Sequence, residues 1–270
     1  MKKIIRYPIL KILHIIRFFL KYLIKFVLKT LVIIRINAIP EIKLNKSKPK
    51  KTINIYNTTE NIKKNYDQFI EDEYKDSYNY FKKYFYTSLM VKDRYAALRY
   101  AINKSLSNHE EDNLYLEFGV FVGKSINYTS KLLKDIKIYG FDSFEGLKED
   151  WKGHNLEKGY GNLKGNVPSL NKNIIIVKGW VQDTVPKFLE EKNPKINFIH
   201  IDLDTYESTK FVLDKLKPHI KKGCIILFDE LYNFPGWEVG EYKALKEVFS
   251  ENEYKFLSFS AGTQVCIEIN

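Results

Sequence analysis

Residues Tyr115 to Ser125, Tyr-Leu-Glu-Phe-Gly-Val-Phe-Val-Gly-Lys-Ser, read as a buried strand, a glycine-bearing turn and the start of a helix. An α/β protein holds a nucleotide-like cofactor at the carboxyl end of such a first strand. Fifteen residues past Gly123 a second strand, Ile138-Tyr-Gly-Phe-Asp142, ends in a carboxylate placed to accept hydrogen bonds from ribose hydroxyls. Two further apolar runs, Phe198 to Asp204 and Cys224 to Glu230, also deliver acids to their ends. One such carboxylate is as readily a helix cap. A whole row of them on one sheet edge points to a cofactor and metal site.

From residue 113 onward strand and helix patterns alternate. Strands are expected at Leu114–Phe118, Ile138–Phe141, Ile174–Val177, Phe198–Ile201 and Cys224–Phe228. Tyr254–Phe259 and Gln264–Ile269 follow as a closing hairpin. The pattern predicts an α/β fold with a Rossmann-like, doubly wound, seven-stranded sheet, parallel except for one strand. Helices precede it, the best of them from Met90 to Ile102 with Met90, Tyr95, Leu98 and Ile102 as its packing stripe. The expected division is a basic amphipathic helix over 1–40, a linker over 41–62, a helical cap over 63–112 and the sheet domain over 113–270.

Charge is segregated. Residues 1–50 hold 13 Lys and Arg against one acid, Glu41, while the remainder holds 31 against 32 acids, so the net +11 belongs to the N-terminal segment. A main domain without net positive charge argues against a nucleic-acid-binding face. Between residues 3 and 29 the cations Lys3, Arg6, Lys11, Arg17, Lys21, Lys25 and Lys29 recur mostly every three or four residues. They fall in one arc of roughly 140° on a helical wheel whose remainder is apolar. No stretch of about 20 uncharged residues is available for a spanning helix, and no small-residue cleavage pattern marks a signal peptide. The segment is expected to lie on an anionic membrane surface. Its alternative is docking on its own domain or on a second subunit of a homo-oligomer. Cys224 and Cys266 lie in apolar runs without metal-ligand spacing, as reduced core residues of a cytoplasmic protein do.

The turn after the first strand has no Gly-x-Gly-x-x-Gly fingerprint; it reads Glu117-x-Gly119-x-x-x-Gly123-x-Ser125. A carboxylate at position 117 can engage the cationic amino-acid portion of S-adenosylmethionine, or the backbone that cradles it, whereas it would repel a pyrophosphate. Gly119 and Gly123 allow close backbone approach. Ser125 either bonds the cofactor's carboxylate or caps the helix.

With these residues in place, the chain resembles the class I S-adenosylmethionine-dependent methyltransferases, and among them the macrocin O-methyltransferase (TylF/MycF-type) family. The resemblance is carried by Glu117–Ser125, Gly140–Leu147 with Trp151, Gly179–Pro186, His200–Thr209, Phe228–Glu230, and Gly240 and Glu241 with Ala244. It runs in order over roughly residues 85–260 and does not cover the first 60. It implies a divalent ion, usually Mg2+, that positions a sugar-type hydroxyl against the methyl group. The metal role is carried onto Asp202, Asp229 and Glu230, an oxygen-only set suited to a hard ion. Asp204 shares the strand parity of Asp202 and either replaces one of these ligands or acts as the base. Asp142, with Ser143 beside it, is assigned to the ribose, and Gln182 and Asp183 to the adenine end. His154, in a long polar loop between the second and third strands, is a candidate acceptor contact or general base. His200 is read as a buried structural histidine.

The expected activity is methylation of a sugar or glycan hydroxyl at the inner face of the cell membrane. A small phenolic or macrolide-type hydroxyl is the nearest alternative acceptor. A nucleotide-dependent oxidoreductase or epimerase is disfavoured by the missing third glycine and by Glu117.

Overall fold

The computed structural model describes residues 55–270, with side-chain surroundings from residue 63 onward. The basic segment 1–40 and the tether up to residue 54 lie outside the described residues.

Long helix α1 spans Ile55–Phe85 and so takes in the last residues of the stretch expected to be linker. Then come β1 (Leu89–Val91), α2 (Arg94–Leu106), β2 (Asn113–Phe118), α3 (Lys124–Leu133), β3 (Ile138–Asp142) and β4 (Ile174–Lys178). The chain continues through α4 (Val181–Lys192), β5 (Lys195–Ile201), α5 (Tyr206–Leu216), β6 (Ile220–Phe228), α6 (Glu241–Val248), β7 (Tyr254–Ser260) and β8 (Val265–Ile269). The strands form one sheet in the order β1-β7-β8-β6-β5-β2-β3-β4. Only β8 runs antiparallel, to both β6 and β7. The α/β class and the single reversed strand agree with the sequence reading.

The strand count does not, because β1 makes eight. Leu89–Val91 pairs in parallel with Ser258–Ser260, and the Ala261 N–H donates to the Val91 carbonyl at 2.9 Å. The helix expected from Met90 therefore begins at Arg94. Asp93 sets that start: its backbone is still extended, and its carboxylate accepts the Ala96 N–H at 2.9 Å, a side-chain N-cap. Of the expected stripe, Leu98 and Ile102 are buried while Met90 is exposed. Ile55–Asn270 form one compact unit.

Each face of the sheet has its own core. Tyr115, Phe198, Ile225 and Leu227 point to the side covered by α2 and α3. Leu116, Phe118, Ile201 and Phe228 point to the side covered by α4, α5 and α6. Burial on both faces is why these strands read as continuous apolar runs rather than alternating ones. At the far end, fully buried Phe81 of α1 meets the rings of Tyr232, Trp237, Tyr242, Phe256 and Phe259 at centroid distances of 5.2 to 5.9 Å. A Phe81→Ala variant is expected to lose about 3–5 kcal/mol of unfolding free energy in a denaturant titration, since so many rings cannot collapse into the void together.

From β2 the chain steps outward to β3 and β4, then crosses back to β5 on the other side of β2. That reversal between β2 and β5 is the topological switch point, where an open α/β sheet leaves a crevice beyond its strand ends.

Candidate active site

A cleft of about 380 Å³ opens at this switch point, along the carboxyl ends of β2, β3, β5 and β6. Backbone hydrogen bonds carry the sheet ladder past the strand ends and fix its floor. The Asp202 N–H donates to Phe118 at 2.8 Å, Gly119 to Phe141 at 3.0 Å, and Asp229 to Ile201 at 2.9 Å. Gly119 sits at φ +88°, and a Cβ built on it would lie 1.7 Å from the Asp202 carbonyl oxygen. Only glycine lets the two strand ends approach so closely.

Asp142 lines the cleft and also shapes it. One carboxylate oxygen accepts the N–H groups of Val120 and Phe121 at 2.8 and 2.7 Å, and the other accepts that of Phe144 at 2.6 Å. These bonds hold Phe121 at φ +46°, an unfavourable conformation for an aromatic residue. Ser143, Leu147 and Trp180 line the same end of the cleft.

The opposite end is acidic. Asp202, Asp204, Asp229 and Glu230 all line it, as sequence reasoning expected. Arg94, at the first position of α2, was not expected. Its Nη2 lies 2.9 Å from Asp202 Oδ2 and 3.0 Å from Asp229 Oδ1. The sequence reading treated that helix only as a packing stripe. The usable signal was Asp93, whose capping role starts the helix at Arg94 and not before.

Burial opposes ionisation of Asp229, yet His200 and Arg94 overcome it and hold the carboxyl down at about 2. Asp204 has no comparable partner. Burial, with the charge of Asp229, lifts it to about 7 against the pull of Arg94. The same two causes raise Asp202 and Glu230 well above the usual carboxylate range. His200 is buried, which by itself would lower its pKa; Glu117, Asp229 and Asp202 raise it to about 10.

Asp202, Asp204 and Glu230 each offer an oxygen, and these atoms lie within 4.8 Å of one another. Glu230 Oε2 is buried without a hydrogen-bond partner. A hard divalent cation fits this donor set and would relieve the repulsion within it. Asp229, also expected as a ligand, falls in a second such group with His200 and Asp202, and Arg94 faces both Asp202 Oδ2 and Asp229 Oδ1.

Several expected contacts are not brought to the cleft. Glu117 is fully buried, accepts the Ser125 hydroxyl at 2.6 Å and faces His200 Nδ1 at 3.1 Å. Its two oxygens are turned on these two partners. Ser125 is committed to Glu117 and caps nothing. Gly123 begins α3 in a left-handed conformation against Leu170 and Pro168, outside the cleft lining. Gln182 accepts from Lys148 Nζ at 3.0 Å, and Asp183 is exposed in the first turn of α4. Neither lines the cleft, where Trp180 and Val181 stand instead. His154 is exposed and stacks on Trp151 at 4.4 Å, with only the tryptophan reaching the lining.

Residues 116–231, rather less than half of the chain, match a family described as a methyltransferase domain. Among solved structures the fold is similar to the calicheamicin methyltransferase CalS11, at 24% identity over 64% of this chain and 77% of that one, TM-score 0.54. An apo structure of CalS11, described as a TDP-rhamnose 3'-O-methyltransferase, aligns with TM-score 0.49 at 24% identity, over 64% of this chain and 78% of that one. The O-methyltransferase NovP aligns at 18% identity over 66% of this chain and 79% of that one, TM-score 0.49. No protein of curated description matches the chain. At 24% identity the likeness to the calicheamicin methyltransferase shows the fold alone, and the family match covers most of the residues that line the cleft.

Proposed function

We propose that this chain is an S-adenosylmethionine-dependent O-methyltransferase, assisted by a divalent cation, that acts on a hydroxyl of a sugar or glycan. One observation carries the reading. A single cleft at the switch point joins a glycine turn and the ribose-type carboxylate Asp142 to an unbalanced cluster of Asp202, Asp204 and Glu230. When bound, S-adenosylmethionine supplies an electrophilic methyl group, and the cation supplies Lewis acidity that makes a hydroxyl easier to deprotonate.

The chain's own residues do the rest. Asp142 is placed for ribose hydroxyls, and Leu147 and Trp180 offer apolar surface to an adenine ring. Asp202, Asp204 and Glu230 would hold the cation, and Arg94 orients Asp202. Asp204 makes no ion pair among the described residues, and its second oxygen would take the acceptor's proton. Trp151, Leu156 and Tyr160, from the long loop after β3, wall the cleft and restrict water.

The acceptor class rests on the motif resemblance. Action at a membrane face rests on the cationic segment 3–29, which lies outside the described residues; among those described, no helix is long and apolar enough to cross a membrane. The test is to incubate the full chain with S-adenosylmethionine, Mg2+ and a panel of sugar nucleotides and lipid-linked sugars, following S-adenosylhomocysteine and the acceptor's mass. Methyl transfer to a sugar is expected, reduced by EDTA at least about a hundredfold and restored by Mg2+. Turnover unaffected by EDTA would remove the cation from the account. Transfer only to phenolic or macrolide hydroxyls would replace the acceptor.

A further inference from the structure

His200 is fully buried on β5, directly beside Glu117 in the sheet register, and the chemistry described so far makes no use of it. Its Nδ1 lies 3.1 Å from Glu117 Oε2, and its Nε2 lies 3.6 Å from Asp229 Oδ1. Glu117 in turn accepts the hydroxyl of Ser125, the second residue of the helix that follows the cofactor loop. Asp229 is held by Arg94, which also holds Asp202. A row of facing polar side chains thus runs from the first turn of α3, directly after the Gly119–Gly123 loop, to the acidic end of the cleft, through β2, β5, the end of β6 and α2. His200 is its one link between the two ends. No water-filled route runs beside it, since His200, Glu117 and Asp229 all have less than a twentieth of their side-chain surface exposed.

We propose that His200 is a positioning residue that ties the cofactor loop to the acid cluster, so that a change at one end alters binding at the other. The proposal rests on the functional reading above only for which ligands occupy the two ends. In an interior this dry, a charge left without its partner is costly, whereas a pair exchanged together for neutral groups of similar shape is not. Glu117 and Asp229 therefore adjust to one another only while His200 stands between them.

The test is a set of cycles on the full chain, comparing Glu117→Gln, Asp229→Asn and the two combined, with His200 present and in the His200→Gln background. Two quantities are read: the thermal midpoint, and the Mn2+ dissociation constant from the free-ion electron paramagnetic resonance signal. Glu117→Gln touches none of Asp202, Asp204 and Glu230, yet it is expected to weaken Mn2+ binding roughly tenfold when His200 is present. In the His200→Gln background the same change is expected to matter less than about twofold. A through-space charge effect would be equal in both backgrounds, and that outcome overturns the proposal.

His200→Gln alone strands Glu117, so its midpoint is expected to fall and to recover when Glu117→Gln is added. If His200→Gln melts like the parent chain, the bridge is not there. The thermal cycle between Glu117→Gln and Asp229→Asn needs no ligand. A parent chain that binds neither cation nor S-adenosylmethionine overturns the functional reading and leaves the thermal cycle to decide on His200: non-additivity that disappears in the His200→Gln background supports the bridge, and additivity in both backgrounds overturns it.

Discussion

A Gly119→Ala variant is expected to lose at least about 3 kcal/mol of stability and to bind S-adenosylmethionine at least about a hundredfold more weakly. The added methyl group would sit 1.7 Å from the carbonyl oxygen of Asp202 and 2.7 Å from its carbonyl carbon. Both are backbone atoms, so no rotamer change relieves the overlap. The strand ends cannot separate cheaply either, because the Asp202 N–H is bonded to Phe118 and the Gly119 N–H to Phe141. The positive φ adds about 1–2 kcal/mol of its own. Gly159 provides the control: it has nearly the same φ, +84°, but nothing lies within 4 Å of the place its methyl group would take. Gly159→Ala should therefore show the dihedral cost alone. Equal stability of the two variants in a denaturant titration would mean that the close approach of β2 and β5 does not matter.

Asp202→Asn is expected to lower turnover by roughly a thousandfold while leaving the S-adenosylmethionine dissociation constant within about threefold. The amide keeps the carboxylate's shape but not its charge, so both the ion pair to Arg94 and the contact offered to a cation weaken. Turnover within tenfold of the parent would show that the acid cluster is not where the chemistry occurs. The neighbouring carboxylates separate the two candidate cation sets. Asp204→Asn should raise the Mg2+ concentration needed for half-maximal activity more than Asp229→Asn does. The reverse order would favour the set expected from sequence.

Why the sequence foretold some of this and missed the rest is a matter of range. Strands buried on both faces carry their signal in consecutive residues, so β2 to β6 were legible from Leu116, Phe118, Ile199, Ile201 and Phe228 and their neighbours. The acids Asp142, Asp202, Asp204, Asp229 and Glu230 were legible because a strand's end fixes where the next residues go. β1 was not, because three residues are too few to show a period and its pairing with β7 joins positions about 170 apart. Arg94 was missed for the same reason: its partners lie more than 100 residues away. Glu117 was found, but its partners Ser125 and His200 were not. Strand position says which face a side chain takes, but not that a histidine on the adjacent strand is waiting there. His154 was drawn in by its chemistry, and nothing local in an aperiodic loop indicated that it would stack outward on Trp151.

The central claim is the identity of the cofactor, and calorimetric titration of the full chain with S-adenosylmethionine, and separately with NAD, tests it most directly. Micromolar binding of S-adenosylmethionine, with no heat from NAD, is the predicted result. Binding of NAD instead, or of neither, would contradict the assignment of Asp142, Leu147 and Trp180 to the methyl donor and with it the proposed activity.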